Sequence, residues 1–242
     1  MKNKNFLICL VGLPASGKST FANSLKIALN KKFDNLEIKI IDPDVIRNQI
    51  ASKKFEHEKE NIVRNQNIEI IRSELANGNI VISDDLNYYS SMRHDLKEIA
   101  DDFNLDFFII HISTPIETCI KWNEKRGKPI PQEVISKIKD KFDIFNRYYW
   151  DKPIAIFDLS EIDDLNIVIK DFLIRLEDEM NTRQKVSKKK IIKTKADYYN
   201  ENLDKITRDY VGTLILNPDL GNIKKKLFKL RKAFIKKNKN KL

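Results

Sequence analysis

Two cysteines and three histidines in 242 residues leave little for sulfur or imidazole chemistry. Cys9 falls in an apolar strand-like run and Cys119 in a helical segment, so both read as packing residues and the fold must rest on its own apolar core. His57, His94 and His111 are scattered. No Cys/His cluster has metal-ligand spacing, which argues against a transition-metal site. His57 and His94 read as surface helix residues and His111 as part of a strand. Long apolar runs are missing as well. None approaches the roughly 20 residues that span a bilayer, and no secretory pattern precedes the first strand. A soluble, cytoplasmic protein without membrane contact is expected. There is no internal repeat. The length suits one α/β domain plus an appendage.

The charge is unevenly spread. Residues 181–242 hold 19 Lys+Arg against 5 Asp+Glu, whereas residues 1–180 hold 26 against 30. A near-neutral body therefore carries a very basic tail. The tail also contains Tyr198, Tyr199, Tyr210, Phe228 and Phe234, and cations interleaved with aromatics suit a nucleic-acid surface.

Residues 12–19 read Gly-Leu-Pro-Ala-Ser-Gly-Lys-Ser, the G-x-x-x-x-G-K-[ST] pattern. The apolar run Phe6–Val11 precedes it, and Thr20–Leu29 follows with helical spacing. A strand thus delivers the chain to a turn whose N–H groups surround phosphate, and the next helix adds its positive end. Gly12, Leu13, Pro14, Ala15, Ser16, Gly17, Lys18, Ser19 and Thr20 are the expected nucleotide contacts. Lys18 is placed for the β- and γ-phosphates and Ser19 for Mg²⁺, so a nucleoside triphosphate and Mg²⁺ are expected.

Further strands are expected at 36–42, 80–82, 106–113 and 154–159. Helices are expected at 56–77 with Gly78 as C-cap, from Ser90 or Ser91 through 100, at 131–147, and along Leu165, Val168, Phe172 and Leu176. Pro43 holds Asp42 extended, Asp44 can open the next helix, and Pro115 suits a first helical turn. Alternating strands and helices imply a parallel sheet covered on both faces, with ligands at the strand carboxyl ends. The expected organisation is a P-loop NTPase-type α/β domain over 1–182, a basic linker over 183–195 and a small helical domain over 196–242. In its last helix, 221–237, Ile223, Leu227, Leu230 and Phe234 form the expected apolar stripe. Lys224, Lys225, Lys229, Arg231, Lys232 and Lys236 are the candidate nucleic-acid contacts.

Asp84 and Asp85 end the third strand and aim at the phosphate site, as a metal-holding acid pair does. Asp44 and Arg47 share a helix face. They suit either an acceptor-side acid with a phosphate-binding cation or a helix cap with a local ion pair. Lys121-Trp-Asn-Glu-Lys-Arg-Gly-Lys128 is a cationic segment after the fourth strand. It resembles the lid of small P-loop kinases, here about 119–131, with Lys121 and Arg126 as its candidate phosphate contacts.

Taken together, Gly12–Thr20, Asp44-Val-Ile-Arg47, Asp84-Asp-Leu-Asn-Tyr-Tyr-Ser-Ser-Met-Arg93 and Arg126-Gly-Lys-Pro-Ile-Pro131 resemble the archaeal O-phosphoseryl-tRNA(Sec) kinase family. Tyr149-Trp-Asp-Lys-Pro153 and Leu230-Arg-Lys-Ala-Phe234 extend the likeness to nearly the whole chain. The resemblance implies ATP- and Mg²⁺-dependent phosphorylation of the serine on seryl-tRNA(Sec), a step in selenocysteine biosynthesis. Asp44 and Arg47 would serve the acceptor and phosphate side, Asp84 and Asp85 Mg²⁺, the lid the nucleotide, and the C-terminal domain the tRNA. A homodimer is among the expectations. The elongator-associated tRNA-binding ATPases share the phosphate loop and the Asp-Asp-x-Asn-Tyr step and are the alternative. Two positions depart from the kinase pattern. Trp122 stands where the first lid arginine is usual, and Leu86 where a hydroxyl residue is common. Lys121 points about 100° away around the helix from Trp122.

Overall fold

The computed structural model describes residues 5–50, 59–127, 130–187, 195–216 and 223–239. The chain forms two compact units, residues 1–181 and 182–242. The first is built on five parallel strands: β1 (Phe6–Gly12), β2 (Ile38–Ile41), β3 (Ile80–Ser83), β4 (Asp106–Ile112) and β5 (Ala155–Phe157). Their order in the sheet is β2-β3-β1-β4-β5. The chain steps from β1 out to β2, returns to β3, then crosses to β4, so the order reverses at β1. That reversal opens a crevice at the carboxyl end of β1.

Strand periodicity divides the core between the two faces. Phe6, Ile8 and Leu10 of β1 pack with Phe21, Leu25 and Leu29 of α1 (Lys18–Lys32) and with Phe172 and Leu176 of α7 (Leu165–Ser187). Leu7, Cys9 and Val11 face the other way. They pack with Ile71 and Leu75 of α3 (Glu60–Ala76) and Leu96 and Ile99 of α4 (Ser90–Asp102). With both faces covered, β1 is buried throughout. The remaining helices of this unit are α2 (Pro43–Ile50), α5 (Ile116–Lys125) and α6 (Gln132–Lys141). Among the described residues no helix is long and apolar enough to cross a membrane.

Several local expectations are corrected. The helix expected over 131–147 stops at Lys141, where Phe142 turns extended. Phe142 and Phe145 then bring their rings to 5.6 and 4.8 Å from His111 on β4, a long-range contact that outweighs helix continuation. Neither Ser90 nor Ser91 caps α4. The Ser90 N–H and hydroxyl instead donate to the Asp143 carboxylate at 3.0 and 3.3 Å. The α2 cap is Asp42, whose Oδ1 accepts from the Asp44 N–H at 2.8 Å. His94 is buried, edge-on to Trp150 at 5.1 Å, rather than at the surface. Gly78 does follow α3 with φ +85°, as a C-cap requires. His57 and residues 56–58 of the α3 expectation lie outside the described residues.

The second unit holds α8 (Lys195–Leu216) and α9 (Lys224–Asn238). Residues 183–187 continue α7, so this part of the expected linker is helical; 188–194 lie outside the described residues. The packed face of α9 also differs from the expected stripe. Leu227, Arg231 and Ile235 are half-buried, while Leu230 and Phe234 are exposed. Arg231 lies on this packed face and donates to Asp204 of α8 at 2.6 Å, the carboxylate that Arg208 also engages.

Burial lowers the His111 pKa to about 4, and the Arg93 and Lys139 cations add to the effect. Above pH ~6.5 the ring is neutral in both folded and unfolded chains, so it adds no pH dependence. Between pH ~6.5 and ~4 only the unfolded state takes up the proton, so stability should fall as pH falls, by about 2–3 kcal/mol. Urea unfolding across this range should show a shallower slope for His111→Gln than for the wild type. Equal slopes would mean that His111 is not held neutral.

Candidate active site

The chain leaves β1 through Gly12 and enters α1 after Gly17, whose φ of +95° an L side chain rarely adopts. A Cβ on Gly12 would lie 2.7 Å from the Ile112 carbonyl oxygen and 2.8 Å from Ser16 Oγ, so the β1 end leaves no room for a side chain between the β4 backbone and the loop hydroxyl. Lys18 is 7% exposed. Its Nζ donates to the carbonyls of Gly12 (3.1 Å) and Leu13 (2.7 Å), folding the ammonium back over the loop. Burial lowers its pKa, and the nearby Asp84 and Asp85 carboxylates oppose that. The Ser16 hydroxyl is buried inside the loop without a protein partner among the described residues. An unanswered donor at a helix N-terminus, beside a buried ammonium, is chemistry suited to a phosphate oxygen.

Asp84 and Asp85 stand beyond the end of β3, beside this loop. Asp84 is buried, and its backbone N–H is tied to the Ile41 carbonyl at 2.9 Å. Burial raises its pKa, while a hydrogen bond from Ser19 and the Lys18 charge pull it back. Burial raises Asp85 as well, against the N–H of Leu86, which its Oδ1 accepts at 2.6 Å, and the charges of Lys18, Arg64 and Arg47. Ser19, Asp84 and Asp85 thus offer hard oxygen donors around one ammonium, a set that fits Mg²⁺. Asn87 holds the turn after them: with φ +45°, it donates its Nδ2 to the Leu10 carbonyl at 2.9 Å.

Asp44 and Arg47 do sit together on α2, but Arg47 is not free. Asp44 pairs with it, and Glu60 of α3 accepts from Arg47 at 2.8 and 3.0 Å. Asp44 itself is 73% exposed at its side chain. Asp42, half-buried and raised by burial, adds another carboxylate near Asp84 and Asp85. Arg64, paired with Asp95, adds a cation toward Asp85. Sequence reasoning missed Glu60 and Arg64, although their i, i+4 spacing on a polar helix was the available signal.

On the far side of the loop is a cavity of about 430 Å³. The loop contributes Ala15, Gly17 and Thr20, and the lid contributes Trp122, Lys125 and Arg126. Its outer wall is Leu159, Ile162 and Leu165. Lys121 is exposed on α5 and is not among the residues that line this cavity. Asn123 fixes the lid loop by donating to the Ile130 carbonyl at 2.8 Å and accepting its N–H at 3.2 Å. Lys128 and Pro129 lie outside the described residues. The Thr114 hydroxyl at the end of β4 donates to the Ser16 carbonyl at 2.9 Å and accepts from the Leu159 N–H at 3.3 Å.

Arg93, in the segment that follows the acid pair, is not in the crevice. It is 0% exposed, bidentate to Asp151 at 2.6 and 2.7 Å, and 4.6 Å from the Phe145 ring centroid. It also donates to the carbonyls of Asn87 and Tyr88 at 3.1 and 3.3 Å, so it supports the turn that carries the acids. Elsewhere, His94, Asp95 and Glu98 bring ligand-type atoms within 4.8 Å of one another, the one such group among the described residues. Arg64 and Trp150 already engage its members. In the second unit, Lys224, Lys229, Lys232 and Lys236 are exposed on α9, whereas Arg231 is committed to Asp204. The side chain of Lys225 lies outside the described residues.

The family model described as chromatin associated protein KTI12 matches residues 6–242. An L-seryl-tRNA(Sec) kinase of Methanococcus maripaludis is 36% identical over 237 residues, 95% of this chain and 89% of that protein. Protein kti12 of Schizosaccharomyces pombe is 27% identical over 220 residues, 87% of this chain and 76% of that protein. Among solved structures, Chaetomium thermophilum Kti12 in complex with ADP-AlF3 aligns with a TM-score of 0.56 at 20% identity, covering 69% of this chain and 96% of that one. The Mycobacterium tuberculosis APS kinase CysC in complex with AMPPNP and APS aligns at 0.51 and 17% identity, covering 72% and 98%. At these identities the structural likeness shows the fold, that of P-loop kinases.

Proposed function

We propose that this chain, which belongs to the family described as chromatin associated protein KTI12, is a Mg·ATP-dependent kinase that phosphorylates the serine of L-seryl-tRNA(Sec). The likeness to an L-seryl-tRNA(Sec) kinase at 36% identity over 95% of the chain carries the reading. The reading is supported in the crevice by the G-x-x-x-x-G-K-S loop, the buried Lys18 ammonium and the oxygens of Ser19, Asp84 and Asp85, the groups phosphoryl transfer calls for.

In this mechanism the loop N–H groups and Lys18 bind and orient the triphosphate. Mg²⁺, held through Ser19, Asp84 and Asp85, would neutralise charge on the transferring group. Asp44 takes the proton of the serine hydroxyl as the new O–P bond forms and the bond to the ADP leaving oxygen breaks. Arg47, clamped by Glu60, holds Asp44 in place. Lys125 and Arg126 close over the phosphates and reduce their exposure to water.

The basic second unit is assigned to tRNA. Replacing Lys224, Lys229, Lys232 and Lys236 by glutamine together should weaken binding of seryl-tRNA(Sec) and flatten its log–log salt dependence by about 3, since each phosphate contact contributes roughly 0.7–0.9 to the slope. Mg·ATP binding should not change. A filter-binding salt titration with an unaltered slope would remove tRNA from this helix.

A second reading is favoured by the KTI12 model itself and by the fission-yeast relative: a tRNA-binding ATPase that releases phosphate to water. Incubation with γ-labelled ATP and seryl-tRNA(Sec) separates the two. Label on the aminoacyl group supports the kinase, and label only in free phosphate supports the ATPase.

A further inference from the structure

The two neighbours of β1 end at different heights. β1 pairs with β3 only as far as Cys9, opposite Ser83, yet runs beside β4 to Gly12, opposite Ile112. Beyond Cys9, the Leu10 carbonyl and the Gly12 N–H both point to the side that β3 has left, because the C=O of one residue and the N–H two residues on face the same way along a strand. Leu10 is buried, so these groups need partners. Both partners come from the turn after the acid pair. The Leu86 carbonyl accepts from the Gly12 N–H at 3.2 Å, and the Asn87 amide donates to the Leu10 carbonyl at 2.9 Å. A longer contact of the same amide, 3.5 Å to Ser83 Oγ, reaches the last paired residue of β3. At the other end of the turn, the Asp84 N–H donates to Ile41 of β2 at 2.9 Å. Asp84 and Asp85 therefore lie between two pinned points. Asn87, 3% exposed, supplies by side chain what a further strand residue would supply by backbone.

We propose that Asn87 is a positioning residue for the metal: by tying the turn to β1 it fixes Asp84 and Asp85 against the phosphate loop, and so sets the affinity for Mg²⁺ in the nucleotide complex. This rests on the proposed reading in which those two acids hold Mg²⁺. The amide is spent on Leu10 and Ser83, so Asn87 acts through the acids and touches neither metal nor nucleotide. Leu10 stands two residues before Gly12, where the phosphate loop begins, so the clamp joins the acids to the strand that delivers the loop. Mg²⁺ demands near-ideal octahedral geometry at about 2.0–2.1 Å, and a small drift of either carboxylate loses a ligand. Groups that hold metal ligands in place typically carry about 10–100-fold of metal affinity. Lys18 is held separately, by the Gly12 and Leu13 carbonyls. The consequence is a residue on which the metal depends and the bare triphosphate does not.

The test is calorimetric titration of the full chain with a non-hydrolysable ATP analogue, in EDTA and then with Mg²⁺ added to the saturated complex, for the wild type, Asn87→Gly and Asn87→Asp. Glycine accepts the φ of +45° and removes the amide. Aspartate keeps the size and tolerates that φ, but turns an acceptor toward the Leu10 carbonyl. Both variants should need about tenfold or more Mg²⁺ for half-saturation, while their affinity for the analogue in EDTA stays within about threefold of the wild type. Retained binding in EDTA also shows that the variants are folded. Equal losses with and without Mg²⁺ would make Asn87 merely structural, and an unchanged Mg²⁺ half-saturation would detach it from the metal. Either result overturns the proposal and leaves the kinase reading standing. A wild type whose bound analogue takes up no Mg²⁺ overturns the assignment of metal to Asp84 and Asp85 itself.

Discussion

Replacing Lys18 by alanine is expected to slow phosphoryl transfer by at least about 10²–10³-fold while the protein stays folded. Removing one preorganised group that stabilises transition-state charge has that order of effect. Lys18 lies in a low-dielectric crevice, where such a charge counts for more than in water. The structure also says why the fold should survive. Its ammonium is held by the two loop carbonyls of Gly12 and Leu13, and no ion pair of the core among the described residues depends on it. Burial already disfavours its charge, so deleting it relieves a desolvation penalty as well as removing those bonds. Single-turnover transfer from γ-labelled ATP, with a thermal melt beside it, checks both halves. Near-wild-type transfer by a folded Lys18→Ala protein would move the chemistry out of this loop.

Asp151→Asn should be the most destabilising single polar change in the first unit, by about 3–5 kcal/mol. The carboxylate and Arg93 are both wholly buried, so losing one charge strands the other in a medium that solvates it poorly. Three further carbonyl contacts of Arg93, to Asn87, Tyr88 and Asp143, would be pulled with it. Chemical denaturation measures the loss directly. The pair replacement Arg93→Met with Asp151→Leu should recover much of it, since apolar groups of similar volume often replace a buried ion pair at little cost. A loss under about 1 kcal/mol for Asp151→Asn would mean that water reaches the pair.

Local pattern made much of this molecule readable, and distant contact explains what it missed. The phosphate loop, the strands flanking it and the two-sided core could be found from runs such as Phe6–Val11, because a strand covered on both faces must be apolar throughout. The acids ending β3 were legible for the same reason: an apolar strand fixes where its last residues point. Arg93 and Asp151 are 58 positions apart, and nothing within either segment says that one buries the other. The end of α6 was hidden because Phe142 and Phe145 continue a plausible helix, yet gain more against His111. On α9 the spacing of Ile223, Leu227, Leu230 and Phe234 pointed to one face, but the packed face carries Leu227, Arg231 and Ile235, and the ion pair of Arg231 with Asp204 on α8 is not legible from the spacing. Trp122 was visible only as a departure from a motif. Its place in a cavity wall depends on Leu159, which is brought there by β5.

The Thr114 hydroxyl joins the phosphate loop, through the Ser16 carbonyl, to the wall that carries Leu159. Under the proposed function the first of these would carry the phosphates. One proton and one lone pair on the same oxygen therefore place the phosphate loop and that wall in thermodynamic linkage. Ordering either partner of that hydroxyl fixes its rotor for the other, so filling the loop should steady the wall that carries Leu159.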